Sequence, residues 1–203
     1  MTTVAANETR WTNYYKVTAG RPPRELLRMA AAHAETGGGA RRQAIDLGCG
    51  AGIETAHLLE LGWTVLAIDG EAEALRLLEE RIPIEQRPRL EARQSAFQDM
   101  RVTEADLVWA GLSLPFCPPA YFPRVWEQII GALGPGGLFA GDFFGPNHAW
   151  AGDDGMNILS RDQVRGLFDR MQIVYFIEEE GERLTASRGP QHWHGLSVIA
   201  RKV

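Results

Sequence analysis

The chain has 203 residues, 45% hydrophobic and 23% charged, which fits one globular domain over residues 1–203 with a full core. A net charge of −5 argues against general affinity for nucleic-acid phosphates, and two cysteines, Cys49 and Cys117, are too few for a disulfide framework or a cysteine metal cage. No apolar run reaches the roughly 20 residues that span a bilayer, and Met1 to Arg10 lacks the apolar core of a secretory signal, so no membrane partner is expected and the expected setting is the cytoplasm.

The first 20 residues are polar with interspersed aromatics, Trp11, Tyr14 and Tyr15. These rings either pack a leading helix or form a lid over a ligand mouth. Arg21-Pro22-Pro23 stops this extended segment and starts a helix, because proline suits a first helical turn. Leu26, Leu27, Ala30 and Ala34 give that helix one apolar face, and Gly37-Gly38-Gly39 breaks it before the first strand. Strand Ala44–Leu47, helix Glu54–Leu61 capped by Gly62, strand Thr64–Ile68 and helix Glu71–Arg81 follow. Leu90–Gln94 reads as a short third strand and Asp106–Ala110 as a fourth.

Pro115, Pro118 and Pro119 stiffen the next loop. Helix Pro123–Leu133 aligns Trp126, Ile129, Ile130 and Leu133, and Gly134-Pro135-Gly136-Gly137 is a hard stop before strand Leu138–Phe144. The loop 145–158 is aromatic and acidic, and its length is of the kind that often serves function. Ser160-Arg161-Asp162-Gln163 fits a capping box opening a helix to about Met171. Strands Gln172–Ile177 and Leu196–Ala200 end the chain as an antiparallel hairpin, joined by a polar connection holding Arg183, Arg188 and His192-Trp193-His194. Glu178-Glu179-Glu180 reads as an exposed strand end. Strand–helix alternation from residue 44 to about 144 implies a parallel sheet covered on both faces.

Two features within this order carry chemistry. In Ala44-Ile45-Asp46-Leu47-Gly48-Cys49-Gly50-Ala51-Gly52 a buried strand ends in an acid and three alternating glycines, a backbone bare enough for a ligand to lie on. The next strand ends at Asp69, where a carboxylate can accept from a ribose.

The stretch Asp46-Leu47-Gly48-Cys49-Gly50-Ala51-Gly52 resembles the first motif of class I S-adenosylmethionine-dependent methyltransferases; a dinucleotide fingerprint wants glycine where Ile53 stands. Trp11, Tyr14-Tyr15, Gly20-Arg21-Pro22-Pro23, Leu133-Gly134-Pro135-Gly136-Gly137 and Val198-Ile199-Ala200-Arg201-Lys202 extend the resemblance to the tellurite-resistance methyltransferases and their small-substrate relatives. The resemblance implies an α/β, Rossmann-like, doubly wound, mostly parallel seven-stranded sheet with an antiparallel last strand. Residues 1–39 would form a helical lid and 40–203 the core. It implies S-adenosyl-L-methionine as cofactor and S-adenosyl-L-homocysteine as product. Gly48, Cys49, Gly50 and Gly52 would pass beneath the methionine part, with Asp46 fixing the loop near the ammonium. Asp69 and Gly70 would meet the ribose, Ala96 and Phe97 the adenine, and Ala110 the methionine side. Relatives carry an acid where Ala96 stands, so packing and the backbone N–H of Phe97 would have to serve there.

Methyl transfer from a sulfonium is an in-line displacement with an activated reagent, so positioning and desolvation dominate and no fixed catalytic signature is expected. The acceptor would be a small molecule, either an oxyanion such as tellurite or selenite or a small metabolite. Arg21, Arg188, His192 and His194 are the cationic acceptor-side candidates, with Arg21 alternatively a surface charge at a helix start. His192 and His194 share one strand face, but two ligands without a third do not make a metal site, so none is expected. Cys117 reads as structural, and Trp150, Asp153 and Asp154 as either a gate or a solvated loop. A non-catalytic S-adenosylmethionine-binding sensor is the alternative function, favoured by Ala96.

Overall fold

The computed structural model describes residues 3–36, 41–186 and 189–203. A seven-stranded sheet organises it: β1 (Gln43–Leu47), β2 (Thr64–Asp69), β3 (Leu90–Gln94), β4 (Ala105–Ala110), β5 (Leu133–Phe144), β6 (Met171–Thr185) and β7 (Gly189–Lys202), in the spatial order β3-β2-β1-β4-β5-β7-β6. The first five strands pair in parallel, and β7 runs antiparallel to both β5 and β6. The doubly wound sheet with an antiparallel last strand is therefore the observed architecture. The change in winding direction falls between β1 and β4, where such sheets open a crevice at their carboxyl ends.

Helices cover both faces, which is why β1, β2 and β4 are apolar along nearly their whole length. On one face, Ala44, Val65, Ala67 and Trp109 pack under α2 (Glu25–Thr36), α3 (Ile53–Glu60) and α4 (Ala72–Arg81) through Leu27, Leu58, Leu59 and Leu78. On the other, Ile45, Val108, Phe139 and Phe143 meet Trp126 and Ile129 of α5 (Phe122–Ala132) and Val164 of α6 (Arg161–Gly166).

Several local expectations change. The leading segment is helical, α1 (Thr3–Thr18), in line with the helical segment expected over residues 1–39, and the extended run read directly before Arg21 is absent from it. The glycines Gly134, Gly136 and Gly137 do not separate α5 from the strand: β5 begins at Leu133, and its register against β4 shifts between Ala105 and Leu107. The capping box at Ser160 is present on both arms, yet α6 ends at Gly166 and β6 starts at Met171. Gly37-Gly38-Gly39 lies outside the described residues.

The largest correction concerns the last two strands. They were expected over Gln172–Ile177 and Leu196–Ala200, with a polar connection between. The ladder instead runs from Met171↔Lys202 to Thr185↔Gly189, while β5 pairs with β7 only as far as Phe144↔Gly195. The two strands therefore continue past the end of β5 as a two-stranded arm. Glu178-Glu179-Glu180 sits inside β6 and is no strand end.

Candidate functional site

The glycine loop is pinned before any ligand arrives. Gly48 N–H and Cys49 N–H both donate to the Ile68 carbonyl at 2.8 and 3.1 Å, which ties the loop to the end of β2. Gly48, Gly50 and Gly52 take φ of 70°, 52° and 77°, the left-handed region that penalises a side chain. Space excludes one as well: a Cβ on Gly48 would lie 2.4 Å from Ser113 Cβ, and on Gly52 2.2 Å from Leu78 Cδ1.

Asp69 closes the loop. Its carboxylate accepts from Gly50 N–H at 2.8 Å and Glu71 N–H at 2.9 Å, so one side chain holds the glycine loop and the start of the β2–α4 turn together. Burial raises its pKa, and the Glu71 and Gly50 donors pull it back. Asp46 is enclosed beneath α3, where it accepts from Thr55 Oγ1 at 2.6 Å. Burial pushes its pKa up to about 8 against that hydrogen bond.

The leading helices sit on this loop. The ring of Tyr15 lies 3.3 Å from where a Gly50 Cβ would stand. Arg21 forms a two-pronged pair with Glu54 of α3 at 2.6 and 2.8 Å, and Glu54 also accepts from Arg24 N–H at 3.2 Å. Arg24 Nη2 reaches Tyr14 Oη at 3.3 Å.

One cavity of about 940 Å³ runs from this loop across the carboxyl ends of β1, β4 and β5 to the arm. That is at the upper end of the range of roughly 300–1,000 Å³ typical of ligand pockets. Its far wall is a packed set of rings. Phe116 lies 4.9 Å from Trp11 and 5.9 Å from Trp150 between ring centroids, and Phe144 lies 5.7 Å from Trp150 and 5.1 Å from Trp193. Between loop and rings stand Ser113, whose buried Oγ has no hydrogen-bond partner, and Asp142. Asp142 accepts from Ser197 Oγ at 2.6 Å and from Leu112 N–H at 3.2 Å, Leu112 itself being held at φ 53°.

Of the residues singled out from sequence, Arg21, Gly48, Cys49, Gly50, Asp69, Gly70, Ala96 and Phe97 line this cavity. Gly52 serves packing against α4, Asp46 lies in the interior, and Ala110 belongs to the core under α5. His192 and His194 are not brought to it. His194 is buried against Gly145, bonded to Glu178 at 2.9 Å and to Asn147 N–H at 3.1 Å, and His192 lies between Glu180 and Glu182 at 3.1 Å from each. Strand alternation explains the correction: it turns both histidines to the opposite face and puts Trp193, Gly195 and Ser197 in the cavity wall. Arg188 lies outside the described residues. Asp153 and Trp150 line the cavity, so loop 145–158 contributes wall as well as surface.

The sequence reading missed Ser113, Asp142, Phe116 and Arg24. Asp142 had a visible signal, an acid inside an otherwise apolar strand, and Phe116 is the ring between Pro115 and Cys117 in the stiff loop. Among the described residues, no group of three His, Cys, Asp or Glu is placed to hold a metal ion, and no helix is long and apolar enough to cross a membrane.

Residues 44–137 match a family model described as a methyltransferase domain. No curated protein matches the chain. Among solved structures, the N-methyltransferase NodS from Bradyrhizobium japonicum WM9 in complex with S-adenosyl-L-homocysteine is similar at TM-score 0.72 and 16% identity, over 98% of this chain and 97% of that one. TehB from Haemophilus influenzae is similar at TM-score 0.68 and 14% identity, over 87% of this chain and 62% of that one. An S-adenosylmethionine-dependent methyltransferase from Methanosarcina mazei gives TM-score 0.63 and 21% identity over 79% and 92%. At these identities the likenesses establish the fold.

Proposed function

We propose that this chain, whose residues 44–137 match a methyltransferase-domain model, is a class I S-adenosylmethionine-dependent methyltransferase that transfers the methyl group to a small organic molecule seated against the aromatic wall. One observation carries the reading: a single cavity joins the glycine loop and Asp69 to the rings of Phe116, Phe144, Trp150 and Trp193. A sensor needs only the first half of that cavity.

The residues present suit the cofactor. The loop gives a side-chain-free floor at Gly48 and Gly50, where a Cβ would collide with Ser113 or press on Tyr15. Asp69 uses one direction on each oxygen for its backbone donors and keeps lone pairs for two ribose hydroxyls. The unpartnered Ser113 Oγ and the guanidinium of Arg24 face the methionine end, and an orphaned buried hydroxyl calls for a ligand partner. At the adenine end Ala96 and Phe97 form the wall with Gln98, whose amide would supply a polar group in place of the missing acid. S-adenosylmethionine, when bound, supplies an electrophilic methyl on a sulfonium. The chain's task is then to exclude water, through Tyr15 and the α1 rings, and to aim the acceptor.

An oxyanion acceptor fits this wall poorly. It needs cationic donors, yet Arg21 is engaged by Glu54 and Arg183 by Glu179, the two histidines face away, and Arg24 stands where the Asp142 carboxylate opposes a second anion. A small metabolite with an apolar body is the better match.

Isothermal titration with S-adenosyl-L-homocysteine tests the reading. Binding is expected, in competition with S-adenosyl-L-methionine. No heat of binding from folded protein up to about millimolar ligand, an affinity near −4 kcal/mol, sinks it.

A further inference from the structure

At the acceptor end, a carboxylate and an aromatic wall share one face of the sheet. Asp142 and Phe144 are two residues apart on β5, and their cross-strand partners on β7 are Ser197 and Gly195, with Trp193 next on the same face. All five line the cavity. Asp142 is 9% exposed, so it opens to the cavity while standing in an otherwise dry strand. Its hydrogen-bond partners are two neutral donors, Ser197 Oγ and Leu112 N–H. That arrangement orients the carboxylate; Arg24 acts on it electrostatically, so its charge is partly answered from within the chain, and lone pairs remain for something that enters.

The rest of the wall points to the charge of the visitor. An ammonium is drawn to ring faces and to carboxylates, and this wall sets Asp142 on the same sheet face as Phe144 and Trp193, the latter already holding a cation, Arg183, over its ring at 5.3 Å. Glu179 and Asp153 add negative charge near the mouth, and the nearby Arg183 is engaged by Glu179 at 2.9 Å and by the Trp193 ring. Position agrees. Asp69 ends β2 and Asp142 is on β5, three strand spacings away or roughly 14 Å, so a cofactor anchored on Asp69 has its reactive end toward β4 and β5.

We infer that the methyl acceptor is an organic amine with an apolar or aromatic body, and that Asp142 pairs with its ammonium and takes its proton; the inference rests on the methyltransferase reading above. The ammonium seats against this wall and gives one proton to an Asp142 oxygen, which frees the nitrogen lone pair. That pair forms the N–C bond to the methyl carbon as the S–C bond breaks and its electrons stay on sulfur. The methylated ammonium leaves, and Asp142 returns its proton to solvent. The groups that face Asp142 are Ser197 on β7, Leu112 N–H after β4, Arg24 before α2 and Glu54 on α3. Burial is the largest influence and raises its pKa, which makes it a better proton acceptor; Ser197, Arg24 and Leu112 oppose this and Glu54 adds to it.

The test uses the full chain saturated with S-adenosyl-L-homocysteine, titrated with benzylamine, phenethylamine and tryptamine and with the alcohol isostere of each. Calorimetry and tryptophan fluorescence read binding. Amines are expected to bind at least about tenfold tighter than their alcohols, and Asp142→Asn to remove that preference while S-adenosyl-L-homocysteine affinity stays within about twofold. With S-adenosyl-L-methionine, Asp142→Asn is expected to slow amine methylation by about 100-fold or more, and the deficit should shrink as pH approaches the amine's own pKa. Trp193→Leu should weaken amine binding by roughly tenfold with cofactor affinity unchanged, which keeps a test in hand if Asp142→Asn fails to fold. Equal binding of amines and alcohols, or an Asp142→Asn protein that keeps the preference and the rate, overturns the inference while bound S-adenosyl-L-homocysteine leaves the methyltransferase reading standing. A wild-type protein that binds no S-adenosyl-L-homocysteine overturns both.

Discussion

At the β2 end of the cavity the ligand-facing surface is mainly backbone. Gly48 and Gly50 present bare main chain, the loop hangs from the Ile68 carbonyl, and Asp69 accepts from Gly50 N–H of the loop and from Glu71 N–H of the following turn. At the β5–β7 end the surface is mainly side chain, and the rings come from separate places: Trp11 from α1, Phe116 from the loop after β4, Phe144 from β5, Trp150 from loop 145–158 and Trp193 from the arm. A surface made of backbone tolerates few residue types, because each position fixes a dihedral angle or a contact distance. A surface made of rings can be assembled from any segment that reaches it. The first end is therefore suited to a fixed ligand and the second to one that differs from protein to protein.

The most severe test of that contrast is the same change at both ends. Gly52→Ala places a methyl 2.2 Å from Leu78 Cδ1 at φ 77°, in a packed core. Strain and overpacking together should cost about 2–4 kcal/mol in urea denaturation. Gly152→Ala, in the loop at the ring end, has open space around it and should shift stability by no more than about 0.5 kcal/mol. Similar losses at the two positions would break the comparison.

Next in size is Asp69→Ala, which removes the carboxylate from the backbone end. S-adenosyl-L-homocysteine affinity should fall by about 1.5–3 kcal/mol by calorimetry, the range for lost hydrogen bonds to a charged group. An unchanged affinity would take Asp69 away from the ribose and leave it a loop brace.

The same contrast explains what the sequence disclosed. The glycine loop and Asp69 were legible because their geometry admits few residues at fixed spacing, and the parallel sheet was legible because βαβ strands are apolar throughout. The arm was not. Its strands carry Glu178, Glu180, Glu182, His192 and His194 on an outward face, and a stretch with that much charge reads as a connection until its pairing partner is known. Reading the arm as loop also misplaced the histidines, since no strand register was available to say that Trp193 faces the cavity and its neighbours do not. Ser113 and Asp142 were hidden for a different reason: their meaning depends on surroundings, a buried hydroxyl without a partner for one and a place on the cavity wall beside the rings for the other, and only coordinates show that.

A smaller effect separates support from contact within the backbone end. Asp46 is fully enclosed and Asp69 borders the cavity, although both end strands beside the loop. Burial raises the folded-state pKa of Asp46 to about 8, so the folded chain keeps a proton that the unfolded chain loses near pH 4. Its stabilising contribution is complete below the unfolded pKa and is lost as pH rises through about 8. Asp46→Asn does not titrate. The stability of wild type relative to this variant should therefore fall by about 1–2 kcal/mol between about pH 6.5 and pH 8, measured by urea denaturation at each pH. A difference independent of pH would mean that Asp46 is ionised in the folded chain and that Thr55 alone holds it.

The smallest expected effect lies on the arm, where neighbouring positions divide between its two faces. His192→Gln should leave S-adenosyl-L-homocysteine affinity and acceptor binding unchanged within about twofold, because exposed ion pairs contribute little and this one points away from the cavity. What it should alter is the pH dependence of melting. Hydrogen bonds to Glu180 and then Glu182 raise the His192 pKa, so its contribution is present below the unfolded value of about 6.5 and fades as pH rises through the folded one. Wild type and variant should differ most near pH 6 and converge near pH 9. Trp193→Leu, one position along and on the other face, should show the reverse pattern, with weaker acceptor binding and no added pH dependence. If His192→Gln changed acceptor binding as Trp193→Leu does, the arm would have to twist or reverse its faces when a ligand binds, and the ring end would be defined by motion more than by the wall seen here.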